Sequence, residues 1–135
     1  MPKPLEGIRV LDLTNVLAGP FCCHHLAHLG AEVIKVEKVG RGDLARQLGA
    51  DSELNAAGMG VSFLAQNAGK KSVTVNLKEL KGKALFIKLV ESADVIVENF
   101  RPGVMARLGV DYENLKSINQ TLIYCAVSGF GQDGP

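Results

Sequence analysis

Ile8-Arg9-Val10-Leu11-Asp12-Leu13, Leu17-Ala18-Gly19-Pro20, Leu29-Gly30 and Val33-Ile34-Lys35-Val36 follow one another in fewer than forty residues. The first and last are short β-branched and apolar runs of the kind buried strands carry. Pro20 sits where a helix opens, and Gly30 where it is capped. Strand, helix and strand so close together make a compact βαβ unit, whose crossover should be right-handed.

Working outward, three more strands are expected at Ser72–Leu77, Asp94–Glu98 and Leu122–Val127, after Ile8–Leu13 and Glu32–Glu37. A helix is expected from about Lys78 to Ser92, with Leu85, Phe86, Leu89 and Ala93 inward and Lys81, Lys88 and Glu91 outward. Pro102–Leu108 and Asp111–Ile118 read as short helices, the second capped by Asp111. Residues 40–71 are punctuated by glycines and read as a long excursion with one or two short helices. Excursions of that length are usually functional or contact a partner. The fold class is therefore α/β, an open parallel sheet.

Bulk properties exclude several classes. With 135 residues, 47% hydrophobic and 21% charged, the chain reads as one globular domain's worth of sequence. A formal net charge of +1 gives no global basic field for nucleic acid or an acidic membrane surface. No signal peptide or membrane-spanning apolar run is present, and three cysteines make no disulfide framework. A cytoplasmic or matrix location is expected. Gly131-Gln132-Asp133-Gly134-Pro135 follows a strand with turn chemistry, so the end reads as cut within a longer domain.

In an open α/β sheet the ligand lies beyond the carboxyl ends of the strands. The loops there are Thr14–Pro20, Lys38–Asp43, the start at Lys78, Asn99–Gly103 and Ser128–Pro135. Lys38, Arg41, Lys78, Arg101 and Arg107 along that rim call for an anionic, phosphorylated ligand. Asn99-Phe100-Arg101-Pro102-Gly103 suits adenine or phosphate, with Phe100 stacking and Arg101 pairing. It also suits a tight turn with a core Phe100 and a solvated Arg101. Leu17-Ala18-Gly19-Pro20 permits close approach of a phosphate or pantetheine arm, or is simply a tight connection.

Other constellations read less sharply. Val39-Gly40-Arg41-Gly42-Asp43 is half a dinucleotide fingerprint after the wrong strand, which argues against nicotinamide binding. Lys70-Lys71-Ser72 reads as a solvated edge, Lys78 as rim-facing or on an outer helix face, and Cys125 as core. His24 and His28 share a helical face with Cys22 and Cys23 nearby, but a polar helix face is favoured over a metal. None of Asp12, Asp43, Asp51, Asp94, Asp111 and Asp133 comes with a recognisable base and orienting partner.

Taken together, several motifs resemble the start of the class III coenzyme A transferases, the CaiB/BaiF family. They are Leu5 to Leu13, Leu17-Ala18-Gly19-Pro20-Phe21, Leu29 to Glu37 and Gly42-Asp43. Asn67 with Gly69-Lys70-Lys71-Ser72, Ala93 to Gly103, Leu122-Ile123-Tyr124 and Ser128-Gly129-Phe130-Gly131 continue the series in order. The resemblance implies a Rossmann-like sheet with helices on both faces, and residues 1–135 as the N-terminal part of a large CoA-binding domain. By position it implies CoA contacts at Leu17, Ala18, Lys38, Val75, Asn76, Leu77, Lys78, Asn99, Phe100, Arg101 and Arg107. Lys38 is often arginine in the family, so an ammonium here replaces a planar fork.

The resemblance also implies a reaction. CoA moves from an acyl-CoA to a small carboxylic acid through an aspartyl-CoA thioester, without a metal. The nucleophilic aspartate and a shielding glycine loop would lie beyond Pro135, and the enzymes are interlocked homodimers. Leu17, where formyl-CoA transferases usually carry glutamine, argues against oxalate and formate. The racemase branch, a non-catalytic CoA-binding module and, third, a dinucleotide-binding domain remain alternatives.

Overall fold

The computed structural model describes residues 1–133. Five strands are β1 (Arg9–Asp12), β2 (Glu32–Glu37), β3 (Lys71–Thr74), β4 (Val95–Glu98) and β5 (Ile123–Ala126). They form one all-parallel sheet in the order β3-β2-β1-β4-β5. The direction of winding reverses between β1 and β4, so their carboxyl ends flank the crevice where such sheets bind ligands.

Alternation along the central strands supplies both faces with apolar side chains. Leu11, Leu13 and Ile96 join Phe86, Val90, Met105, Val110 and Leu115 in the larger core, under α4 (Leu80–Glu91), α5 (Val104–Leu108) and α6 (Tyr112–Leu115). Val10, Val33 and Val97 pack with Cys23 and Ala31 on the opposite face, under α1 (Ala18–His28). Helices on both faces follow directly from that division.

Helix α1 begins at Ala18, two residues before the expected Pro20, which needs no amide hydrogen in a first turn. Its end is a Schellman motif. Gly30, at φ +108°, donates its N–H to the Ala27 carbonyl, and Ala31 donates to Leu26, both at 3.0 Å. The excursion after β2 holds a 3-10 turn (Leu44–Gln47), α2 (Ser52–Ala56) and α3 (Val61–Asn67). Asp43 caps the first and Asp51 the second.

Four expectations are corrected. Leu85 is 59% exposed, and α4 instead turns Phe86, Val90 and the following Ala93 inward. Cys125 is exposed because β5 lies at the sheet edge. The side chain of Asp111 accepts from Asn114 Nδ2 and gives α6 no side-chain cap bond. Strand β3 ends at Thr74; Val75 still donates its N–H to the Glu37 carbonyl of β2 at 2.8 Å, and Asn76 and Leu77 then turn along the rim. Part of the loop expected at Ser128–Pro135 is described, with Ser128 Oγ donating to the Gly131 carbonyl at 2.9 Å. Gly134 and Pro135 lie outside the described residues.

Candidate functional site

A cleft of about 550 Å³ lies at the carboxyl ends of the strands. Leu13, Val36, Val75, Leu77, Phe100, Val104 and Leu108 give it apolar walls, and Lys38, Arg41 and Lys78 give it cations. The three cations stand on exposed residues around a greasy trough. Such a site suits a ligand that is long and apolar in one part and anionic in another.

Asn15 and Val16, just after β1, also line the cleft. Asn99 holds this turn in place. Its Oδ1 accepts from the Asn15 N–H, and its Nδ2 donates to the Asn15 carbonyl, each at 2.8 Å. The loops after β1 and β4 are thus fastened across the switch point. Phe100 is oriented in turn by Glu98, whose Oε2 accepts the Phe100 N–H at 2.8 Å. Burial pushes the Glu98 carboxyl above the usual carboxylate range, against the pull of that N–H and of Tyr124.

Beneath the cleft lies a charged network. Lys35, 1% exposed, places Nζ 2.9 Å from Asp43 Oδ2 and donates to the Thr14 carbonyl at 2.8 Å. Lys70 Nζ donates to Asp12 Oδ2 at 2.7 Å, to Asn67 Oδ1 at 2.8 Å and to the Pro20 carbonyl at 2.9 Å. Asp12 also accepts the Thr14 N–H at 2.9 Å and the Thr14 hydroxyl. Burial pulls the Lys70 ammonium below its ordinary range, with the Asp12 charge opposing. Lys70 is therefore not the solvated edge its sequence context implies.

Glu37 ends β2 as a second anchor. Arg46 grips it with two nitrogens at 2.6 and 2.7 Å, Ser72 Oγ donates at 2.7 Å, and the Asp43 N–H donates at 2.9 Å. Burial would raise its carboxyl, but these donors outweigh burial and hold it down at about 2. Arg46 lies 3.7 Å above the Phe63 ring, which joins the excursion to its own small core.

Of the expected ligand contacts, the cleft brings together Lys38, Val75, Asn76, Leu77, Lys78 and Phe100. Leu17 and Ala18 are exposed immediately after Val16, where α1 begins. Arg101 instead lines a second hollow of about 320 Å³ with Glu98, Tyr112 and Tyr124. Arg107 is exposed on α5, whose Val104 and Leu108 face the main cleft. Sequence reading missed Lys35, Glu37 and Arg46. A lysine inside an otherwise apolar strand was the available signal, because such a residue must find a partner when buried. The shared face of His24 and His28 is confirmed by ring centroids 4.3 Å apart. Among the described residues no group of three or more metal-capable side chains forms.

Comparison with known proteins adds the family. The model of CoA-transferase family III matches residues 5–135. A succinyl-CoA:glutarate CoA-transferase of Mus musculus is 47% identical over 98% of this chain and 30% of its own length. An acetyl-CoA:oxalate CoA-transferase of Acetobacter aceti is 49% identical over 99% of this chain and 34% of its own. A CaiB/BaiF family protein of Brucella suis superposes with a TM-score of 0.87 at 40% identity, over 100% of this chain and 36% of that one. The chain spans about a third of the length of the curated relatives it matches. The motifs, the strand order and the family match agree: this chain belongs to CoA-transferase family III.

Proposed function

We propose that the chain forms the CoA-binding part of an enzyme that moves CoA between an acyl-CoA and a carboxylic acid. The observation that carries this reading is the cleft itself. Apolar walls suit a pantetheine arm and Phe100 suits an adenine face, while Lys38, Arg41 and Lys78 suit phosphates. In this reading Asn99 supports the site by holding Asn15. Leu17 and Ala18 flank the reactive end, and Arg101 and Arg107 lie on the outer side. NAD suits the site less well, because the glycine fingerprint is absent after β1.

The reaction proceeds through an aspartyl-CoA thioester in the whole enzyme, which acts as a homodimer on an acyl-CoA and a small acid. Within this segment five of the six aspartates have other work, Asp111 accepting from Asn114 Nδ2. Asp12 and Asp43 are buried and ion-paired, Asp51 caps α2, and Asp94 accepts the Arg9 N–H. A nucleophile needs an unencumbered carboxylate facing the thioester, and Asp133, the remaining one, is not among the residues lining the cleft, so this segment alone binds CoA without turnover. Relatives named for glutarate and for oxalate are similarly identical to it, so identity over this segment does not select the acid.

Titration calorimetry of the chain with CoA and with NAD tests the reading. Saturable heat with CoA and none with NAD is expected. NAD binding without CoA binding would overturn CoA recognition, and sustained transfer from an acyl-CoA to a carboxylic acid by this chain would overturn its inability to turn over.

A further inference from the structure

Val16 is the one non-glycine among the described residues with a positive φ, at +70°. A β-branched side chain disfavours that conformation, because Cβ crowds the following carbonyl. Such strain persists only where the surroundings over-determine it. Here both ends of one peptide group are held. The Asn15 carbonyl accepts from Asn99 Nδ2 at 2.8 Å, and the Val16 N–H donates to Asp43 Oδ1 at 3.0 Å. The two partners come from the loops after β4 and β2, on either side of β1.

Asp43 is itself fixed. It is 1% exposed, its Oδ1 also accepts the Ala45 N–H at 2.9 Å, and its Oδ2 lies 2.9 Å from Lys35 Nζ. Its own N–H is held by Glu37 at 2.9 Å. Asn15, Val16 and Asp43 all line the cleft, so the orientation of the Asn15–Val16 peptide shapes its wall. We propose that Asp43 is a positioning residue, which holds Val16 in its left-handed conformation and thereby presents the β1 loop to the bound thioester arm. This deepens the CoA reading and rests on it for the ligand, but the clamp is a property of the chain alone.

Asp43→Ala, Val16→Gly and the double variant test the clamp. Hydrogen exchange across residues 14–18 is followed alongside CoA titration. Asp43→Ala is expected to speed exchange there about tenfold, with β1 and β4 unchanged, and to weaken CoA about tenfold. Glycine reaches positive φ unaided, so Val16→Gly should recover about threefold or more of that affinity in the Asp43→Ala background. A merely structural Asp43 gives no such rescue. If losing the Asp43 charge beside buried Lys35 unfolds the chain, Asp43→Ala with Lys35→Met is compared with Lys35→Met alone, because Lys35 also donates to the Thr14 carbonyl and its loss by itself loosens that turn. Unchanged exchange across residues 14–18 in the folded variant overturns the proposal, whatever CoA does. Absence of CoA binding by the unsubstituted chain overturns the ligand reading, while exchange still decides the clamp.

Discussion

Asn99 and Asn15, eighty-four residues apart in the chain, exchange two hydrogen bonds of 2.8 Å between a side-chain amide and a backbone. The pair closes the gap at the reversal point of the sheet and fixes how far the first and fourth loops stand apart. Asn99→Ala leaves both Asn15 groups without protein partners, and should cost about 1–2 kcal/mol of stability. CoA affinity should fall about tenfold, and Asn99→Asp, which loses the donor to the carbonyl, should be at least as weak. Urea unfolding with parallel calorimetric titration measures both.

Lys38 and Lys78 line the cleft from different loops and remain exposed, so their attraction for phosphate is screened by salt. Either lysine changed to alanine should weaken CoA about three- to tenfold at low salt, with a flatter dependence of affinity on ionic strength. Folding should be unaffected, because neither belongs to the buried network. Titrations across a range of salt concentrations check this, and an unchanged slope would remove phosphate pairing from the account.

Glu37 is held at about 2 despite burial, which turns it into an acid-sensitive anchor. A carboxylate whose folded value lies below its unfolded one, about 4.3, contributes stability that is fully present above the unfolded value. That contribution drains away as pH falls towards 2. Glu37→Gln should therefore lower the melting temperature near neutrality and flatten its decline between pH 5 and 2. Thermal melts over that range are the check.

Gly82 has no room for a side chain. A Cβ there would stand 2.1 Å from the Asn76 carbonyl oxygen, so α4 touches the third loop backbone to backbone. Gly82→Ala must push the helix or the loop aside, at about 2 kcal/mol or more. Because Asn76, Leu77 and Lys78 line the cleft, CoA affinity should fall with it. Gly129→Ala, which meets nothing within 4 Å, has no positive φ and lies outside the cleft lining, is the control.

The strands were legible because each is a short apolar run followed by turn residues, and that pattern needs only local information. The edges were less so. Val75 to Leu77 continue the apolar run of β3 but serve the cleft wall, a distinction set by where the neighbouring strand β2 ends. Cys125 resembled core because an edge strand carries the same residues as a central one. Lys70 beside Lys71 looked like a wet basic pair, since its carboxylate partner, Asp12, is fifty-eight residues upstream. Lys38, Lys78 and Phe100 fall on the cleft, as their positions at strand ends imply. Lys35, Asp43 and Arg46 were missed as a unit because ion pairing across three segments leaves no periodic mark.

The cleft draws on residues from Leu13 to Leu108. No short piece of the chain can therefore recognise its ligand, since the winding order interleaves early and late segments. Loop closures of that span slow folding. Ligand capture during refolding would consequently mark the docking of β1 through β4 with α5, and would be silent on the edge strand β5, which lends the cleft no residue.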